Sequence, residues 1–189
     1  MQAWRFKYLM KVFKTDINSI IQNERETCAT IGMFDALHKY HKLIIEKTQT
    51  IAQENNLESI IITFDHKPTK GTETLLNENK KINYINENFQ IDKMIILQVN
   101  NDLINTSKEQ FVKILKNKFK VIKLVEGSDF RFGFEKSGDV EYLKNSFGEK
   151  NVFIYERDKN ISTSKIKKLV KENKIAEIDD ELEVDINLL

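Results

Sequence analysis

Strand-like and helix-like segments alternate along this chain, which predicts an α/β fold: a doubly wound, five-stranded, mainly parallel sheet with helices on both faces. Three observations carry the prediction. Ser59 to Phe64 is a continuous β-branched and apolar run, the kind of strand buried on both faces. The segments between such runs repeat apolar residues at helical spacing. Between Ala29 and Ile45, ATIGMFDALHKYHKLII, an apolar strand passes through a glycine turn into a helix whose opening turn carries His38 and His41.

Taken in order, MKVFKTD from Met10 reads as a natural beginning with a short strand, which sets residues 1–9 apart as an N-terminal extension. Cys28 to Gly32 is the first of the five sheet strands. His38 to about Asn55 follows as a helix with Leu37, Ile44, Ile45, Thr48, Ile51 and Ala52 on its packing side. Ser59 to Phe64 is the second strand, and it ends in TFDHKP, where Pro68 bars Lys67 from helical geometry. A helix over Leu75–Asn88 and a third strand over Met94–Val99 come next. Ser107 opens another helix with Gln110 as its capping-box partner, and Phe111, Ile114 and Leu115 form its apolar face. Val121–Val125 is the fourth strand. Asp139 caps a short helix that stops near Gly148, Val152–Tyr155 is the fifth strand, and Ile161–Lys174 holds the last helix. The acidic run from Glu177 to Asp185 reads as a solvated end, and residues 183–189 as a tail.

The 189 residues, 40% of them hydrophobic, suffice for one core, so residues 10–182 read as a single domain. A net charge of +1, from 30 basic against 29 acidic residues, gives no global field for nucleic acid or an acidic membrane. Partners must therefore be argued locally. Cys28 cannot form an intrachain disulfide and reads as a small core side chain in a reducing compartment. No apolar run approaches a membrane span and no signal-peptide centre is present, so a cytoplasmic location is expected.

In open parallel sheets ligands bind beyond the carboxyl ends of the strands, where the strand order reverses. The informative loops are then residues 33–40, 65–72, 127–139 and 156–164. In the first, His38 and His41 stand three apart on a helix start, where free amides and the positive end of the dipole attract anions and two imidazoles add donors. One histidine alone would read as a cap. In the third, GSDFRFGFEKSG places three glycines within twelve residues and a polar Asp129 toward the crevice, while Phe130 and Phe132 read as packing. In the fourth, ISTSKIK sets Ser162, Thr163 and Ser164 at a helix start with Lys167 one turn in, which serves equally as a cap or as a phosphate site.

These stretches resemble the signatures of the prokaryotic FAD synthetases, within the nucleotidylyltransferase superfamily. GMFDALHKYH is similar to Gly-x-Phe-Asp-Gly-x-His-x-Gly-His, with Ala36 and Tyr40 in place of glycines. Gly127, Asp129, Phe130, Phe132, Gly133, Gly138 and Asp139 match the family's glycine-rich segment. TFDHKP resembles Thr-Phe-Asp/Glu-Pro-His-Pro, with His66 for proline and Lys67 for histidine. ISTSKIK resembles Ile-Ser-Ser-Thr-x-Ile-Arg, with Lys167 for arginine.

The resemblance runs from about Met10 to Leu182 and implies a Rossmann-like nucleotidylyltransferase fold. It also implies an FMN adenylyltransferase that joins AMP from ATP to FMN, giving FAD and pyrophosphate. Nothing in the chain reads as the riboflavin kinase domain of the bifunctional members. The resemblance assigns His38, His41, Asp129 and Lys167 to catalysis. It assigns Gly32, Met33, Phe34, Asp35, Tyr40, Ser162, Thr163 and Ser164, with the histidines and Lys167, to the nucleotide. Thr63, Phe64, Asp65, His66, Lys67 and Pro68 fall to the flavin, where Lys67 could instead reach the flavin phosphate.

Magnesium is expected to arrive with ATP, on phosphates rather than in a protein cage, so no side chain is assigned as a metal ligand. ATP and FMN are the expected partners, without nucleic acid or membrane, and the chain is expected to be a monomer or a weak homo-oligomer. Two alternatives stay open. Tyr40 stands where the family glycine lets adenine lie close to the helix, which leaves room for a non-catalytic flavin- or nucleotide-binding protein. The histidine and ISTSKIK motifs equally suit a related nucleotidylyltransferase with another phosphate acceptor.

Overall fold

The computed structural model describes residues 9–67, 74–156 and 163–172. The N-terminal extension up to residue 8, Pro68, Ser162 and the acidic C-terminal run lie outside the described residues. Six strands form the main sheet: β1 (Lys11–Thr15), β2 (Thr27–Ile31), β3 (Glu58–Phe64), β4 (Lys93–Leu97), β5 (Val121–Gly127) and, last in the chain, β8 (Val152–Tyr155). Their order is β1-β4-β3-β2-β5-β8, and every pair is parallel. Two short strands, β6 (Arg131–Phe132) and β7 (Gly138–Asp139), make a separate antiparallel ribbon within the loop after β5.

The sheet is wound in both directions from its middle. One face is covered by α1 (Lys39–Glu54), α2 (Glu78–Asn88) and α6 (Thr163–Lys171), through Ile44, Ile51, Ile85 and Ile166. The other is covered by α3 (Asn101–Ile104), α4 (Lys108–Asn117) and α5 (Val140–Phe147), through Leu103, Phe111, Leu115 and Leu143. Strand residues alternate between the two cores: Ala29 and Ile31 face one, Cys28 the other. Such burial on both faces explains the near-continuous apolar runs. Cys28 is fully buried, and that burial pushes its thiol up to about 12, so it packs as a hydrophobe and is no nucleophile at neutral pH.

Five expected strands become six because Lys11–Thr15 pairs with β4 along its whole length. It is the sheet's edge, four of its five residues are exposed, and KVFKT accordingly lacks a central strand's apolar signature. The helix expected from Leu75 starts at Glu78 instead, since the Asn77 side chain accepts from the Asn79 and Lys80 amides and so defines the first turn. The Ser107–Gln110 capping box and the Asp139 cap, which accepts from the Tyr142 amide, stand where the sequence predicts them. No described helix is long and apolar enough to cross a membrane.

What this architecture does for the site is separate β2 from β5. The chain runs outward from β2 through β3 and β4, then returns to start β5 on the opposite side, so the strand order reverses between these two neighbours. Their register shifts at Thr27/Cys28 and their pairing is recorded only as far as Ala29 with Leu124. Beyond that point a crevice opens.

Candidate active site

A cleft of about 280 Å³ lies in this crevice, lined by the end of β2, the turn after it, the start of α1 and the end of β5. The turn is tight. The Phe34 ring lies so close over Gly32 that a Cβ there would stand 3.2 Å from its Cζ, and Phe34 and Leu37 both take positive φ. Two buried apolar side chains, Phe34 and Leu37, hold these strained residues down and turn the backbone toward the crevice.

His38 is the N-cap of α1, one position ahead of the helix proper. Its Nδ1 accepts from the His41 amide at 3.4 Å. Accepting at Nδ1 puts the proton of the neutral ring on Nε2. The His41 ring stacks on it, 3.7 Å between centroids and 17° between planes, and the Phe34 ring meets His41 edge-on at 5.4 Å. The first turn of α1 holds no acidic residue to compete with an anion.

Asp35 gathers the segments around the turn. Its buried Oδ1 accepts from the Leu75 amide at 2.7 Å, and its Oδ2 stands 3.4 Å from both Lys67 Nζ and Lys167 Nζ. The loop after β3, the start of α2 and helix α6 are thereby tied to one carboxylate. Beneath them Lys81, a buried residue of α2, donates to Thr63 Oγ1 at 2.9 Å and to the Met33 carbonyl at 3.2 Å. Burial holds its ammonium below the ordinary value, while the Asp35, Glu78 and Asp65 carboxylates pull it back up.

On the β5 side, Glu126 is buried where the ladder with β2 has ended, and its Oε1 accepts from the Ile31 amide at 2.8 Å. Burial raises its carboxyl well above the usual range, against the smaller opposing effect of that hydrogen bond. Thr30 presents a buried hydroxyl to the same cleft that meets no hydrogen-bond partner among the described residues. Tyr40 crosses the crevice, with its phenol donating to the Tyr155 carbonyl at the end of β8. A Cβ on Gly127 would stand 2.7 Å from that phenol oxygen, so glycine is what admits the tyrosine. Asp129 and Phe130 complete the wall. Phe130 stacks on Phe132, which packs against Phe111 and Tyr142 in the core.

Of the residues expected at the nucleotide, the fold brings Gly32, Met33, Phe34, Asp35, His38, Tyr40, His41 and Asp129 onto one cleft, and Lys167 onto Asp35 at its edge. Thr163 and Ser164 open α6, where their side chains lie outside the described residues with Ser162. The flavin group divides. Thr63 is tied to Lys81 and the Met33 carbonyl, and Phe64 packs on the core. Asp65 accepts from the Val99 amide, and His66 is an exposed partner of Asp65. Only Lys67 of this group lines the cleft, and Pro68 lies outside the described residues. The sequence reading missed Lys81 and Glu126. Lys81 had a signal, since it stands four residues before buried Ile85 on the same helix face.

The family model for FAD synthetase matches residues 20–169. The chain belongs to the FAD synthetase family. Curated relatives include the bifunctional riboflavin kinase/FMN adenylyltransferase of Buchnera aphidicola subsp. Schizaphis graminum, 28% identical over 173 residues, covering 84% of this chain and 55% of that protein. The Escherichia coli K12 protein of the same description is 26% identical over 138 residues, covering 69% of this chain and 44% of its own. The chain thus spans about half the length of these relatives. Among solved structures, one described as a macrolide-efflux protein from Streptococcus pneumoniae superposes with a TM-score of 0.70 at 18% identity, covering 85% of this chain and 56% of that one. That likeness speaks for the fold alone. In this FAD synthetase family member, Gly32 to Asp35, His38, Tyr40 and His41 line the cleft at the strand reversal.

Proposed function

We propose that the chain is an FMN adenylyltransferase, transferring AMP from ATP to FMN to give FAD and pyrophosphate. The observation that supports it best is the gathering of His38, His41, Lys67 and Lys167 around the turn after β2 and the start of α1, in a member of the FAD synthetase family. In this reading a phosphate oxygen of FMN attacks the α-phosphorus of ATP. A new P–O bond forms as the bond to the bridging oxygen breaks, and pyrophosphate leaves with its electrons. The FMN phosphate is already an anion, so no side-chain nucleophile is needed. Catalysis is positioning and charge stabilisation.

His38 and His41 face the triphosphate and the departing pyrophosphate, and the Gly32–Asp35 turn lies close to the nucleotide. Ser162, Thr163, Ser164 and Lys167 take the β- and γ-phosphates, and Asp129 takes the nucleotide from the opposite wall. The loop from Thr63 to Pro68 borders the flavin. The described residues contain no group of three metal-ligating side chains. Magnesium would come with ATP and supply charge neutralisation on the phosphates.

Incubating the protein with FMN, ATP and magnesium and separating the flavins by chromatography tests this, with riboflavin replacing FMN in parallel. FAD from FMN alone is expected. A second reading, a protein that binds flavin or nucleotide without catalysis, draws on the Tyr40 phenol occupying the Tyr155 carbonyl. No FAD from a folded protein that still binds flavin would favour it.

A further inference from the structure

Motif matching puts Lys67 beside the flavin. The fold brings it onto Asp35. Lys67 lines the cleft, and its Nζ approaches the same Asp35 Oδ2 as Lys167 Nζ, each at 3.4 Å, so the two ammonium groups lie within twice that distance of each other. Both lysine side chains are about one-fifth exposed, whereas the carboxylate is 2% exposed. Lys81, which is buried, contributes a third ammonium that feels Asp35. Lys67 and Lys167 thus share one oxygen of Asp35, whose other oxygen accepts from the Leu75 amide, while Lys81 also feels Glu78 and Asp65. Two ammonium groups held this close in a half-dry crevice repel each other. An anion with several charges relieves that repulsion by engaging both ammonium groups, and the stacked histidines stand on the same cleft.

We propose that Lys67 is a polyphosphate-binding residue that acts with Lys167 on one triphosphate, rather than a flavin contact. The assignment rests on the nucleotidyl-transfer reading of the site. It adds a second cation, from the loop after β3, to the one that the helix motif supplies. Two lysines reaching the same phosphates from different segments also explain why both stay on Asp35: the carboxylate holds the pair at the cleft before substrate arrives.

Titration calorimetry with inorganic tripolyphosphate, and separately with FMN, tests the assignment on the wild-type chain, Lys67→Met, Lys167→Met and the double variant. Each single substitution is expected to weaken tripolyphosphate about tenfold, with FMN affinity within twofold of wild type and Lys67→Arg restoring most of the loss. The double variant is expected to fall below either single one. A Lys67→Met protein that loses FMN and keeps tripolyphosphate overturns the proposal, and so does one that changes neither. A wild type that binds no tripolyphosphate overturns it as well. Loss of tripolyphosphate in a chain that forms no FAD would uphold the lysine pair while removing FMN adenylyl transfer.

Discussion

At one end of the cleft, the turn after β2 collects two stacked histidines, a helix N-terminus and two lysines on a buried carboxylate. At the other end, Tyr40 crosses the crevice and donates to a strand-end carbonyl, and burial raises the neighbouring Glu126 carboxyl well above its ordinary value. The first end gathers basic side chains around one carboxylate; at the second, Tyr40 and Glu126 bond to backbone groups. On the proposed function, the contrast separates what a polyphosphate needs from what the rest of a nucleotide needs. An anion is attracted from a distance and tolerates approximate walls, whereas a flat base requires an empty slot of its own shape. A chain can therefore keep the first requirement while altering the second.

Tyr40→Gly tests that separation most severely. It deletes a buried aromatic ring and places glycine in a helix, for which about 4 kcal/mol of folding stability is expected to be lost. If the ring occupies the base slot, ATP affinity rises at least tenfold in the folded fraction, while tripolyphosphate affinity stays within twofold. Calorimetry at low temperature with both ligands reads the two ends separately. Equal affinity for ATP before and after would mean that the slot has adapted to the phenol.

His41→Ala is the matching test of the other end. Removing one aimed donor from a developing charge costs on the order of 3 kcal/mol. FAD turnover is expected to fall about a hundredfold, with the denaturation midpoint little changed because His41 is only half-buried and the Gly32–Asp35 turn keeps its own hydrogen bonds. An unchanged rate would remove His41 from the mechanism.

The two ends also differ in how far they could be read from the amino-acid sequence. The first end is written partly in a local pattern, a glycine turn followed by a helix start, while Lys67 and Lys167 reach it from distant segments. The central strands were legible for the same reason: burial on both faces leaves a continuous apolar run. The edge strand Lys11–Thr15 was not counted, because its order depends on pairing with β4 across the chain and not on its own composition. Asn101–Ile104 escaped since four residues carry too little periodicity to be seen. Glu126 and Lys81 were missed for a different reason. A charged residue in an apolar segment reads as the segment's end, and only the tertiary structure shows it turned inward to an amide or a carbonyl. Lys67 falls in a motif that resembles a flavin-bordering one, and only the tertiary structure shows its approach to Asp35.

Glu126→Gln sharpens the comparison through pH. The folded carboxyl titrates well above 4.5, its ordinary value, so above 4.5 the unfolded chain releases this proton while the folded one retains it. The contribution to stability is whole below 4.5 and is lost as pH rises toward the folded value, at a slope of at most about 1.4 kcal/mol per pH unit. Glutamine cannot ionise and still accepts from the Ile31 amide. The variant is expected to be more stable than wild type at pH 7 and to lack this part of the pH slope. Denaturant midpoints from pH 5 to 8 measure it, and a slope that persists in the variant would place the titration elsewhere.

Tyr40→Phe is the smallest change and the most discriminating. It leaves the ring and removes only the hydroxyl that meets the Tyr155 carbonyl, for an expected loss of about 1 kcal/mol in stability. A base that must push the ring aside has to break that same hydrogen bond. Its loss then lowers the cost of opening by a similar amount, and ATP binds up to about fivefold tighter. A base that stacks on a stationary ring gains nothing from the substitution. Tighter ATP binding by Tyr40→Phe, alongside a larger gain in Tyr40→Gly, is the pattern expected of a ring that swings. Unchanged affinity in the phenylalanine variant would make Tyr40 a fixed wall, and would move the base of the nucleotide to another part of the crevice.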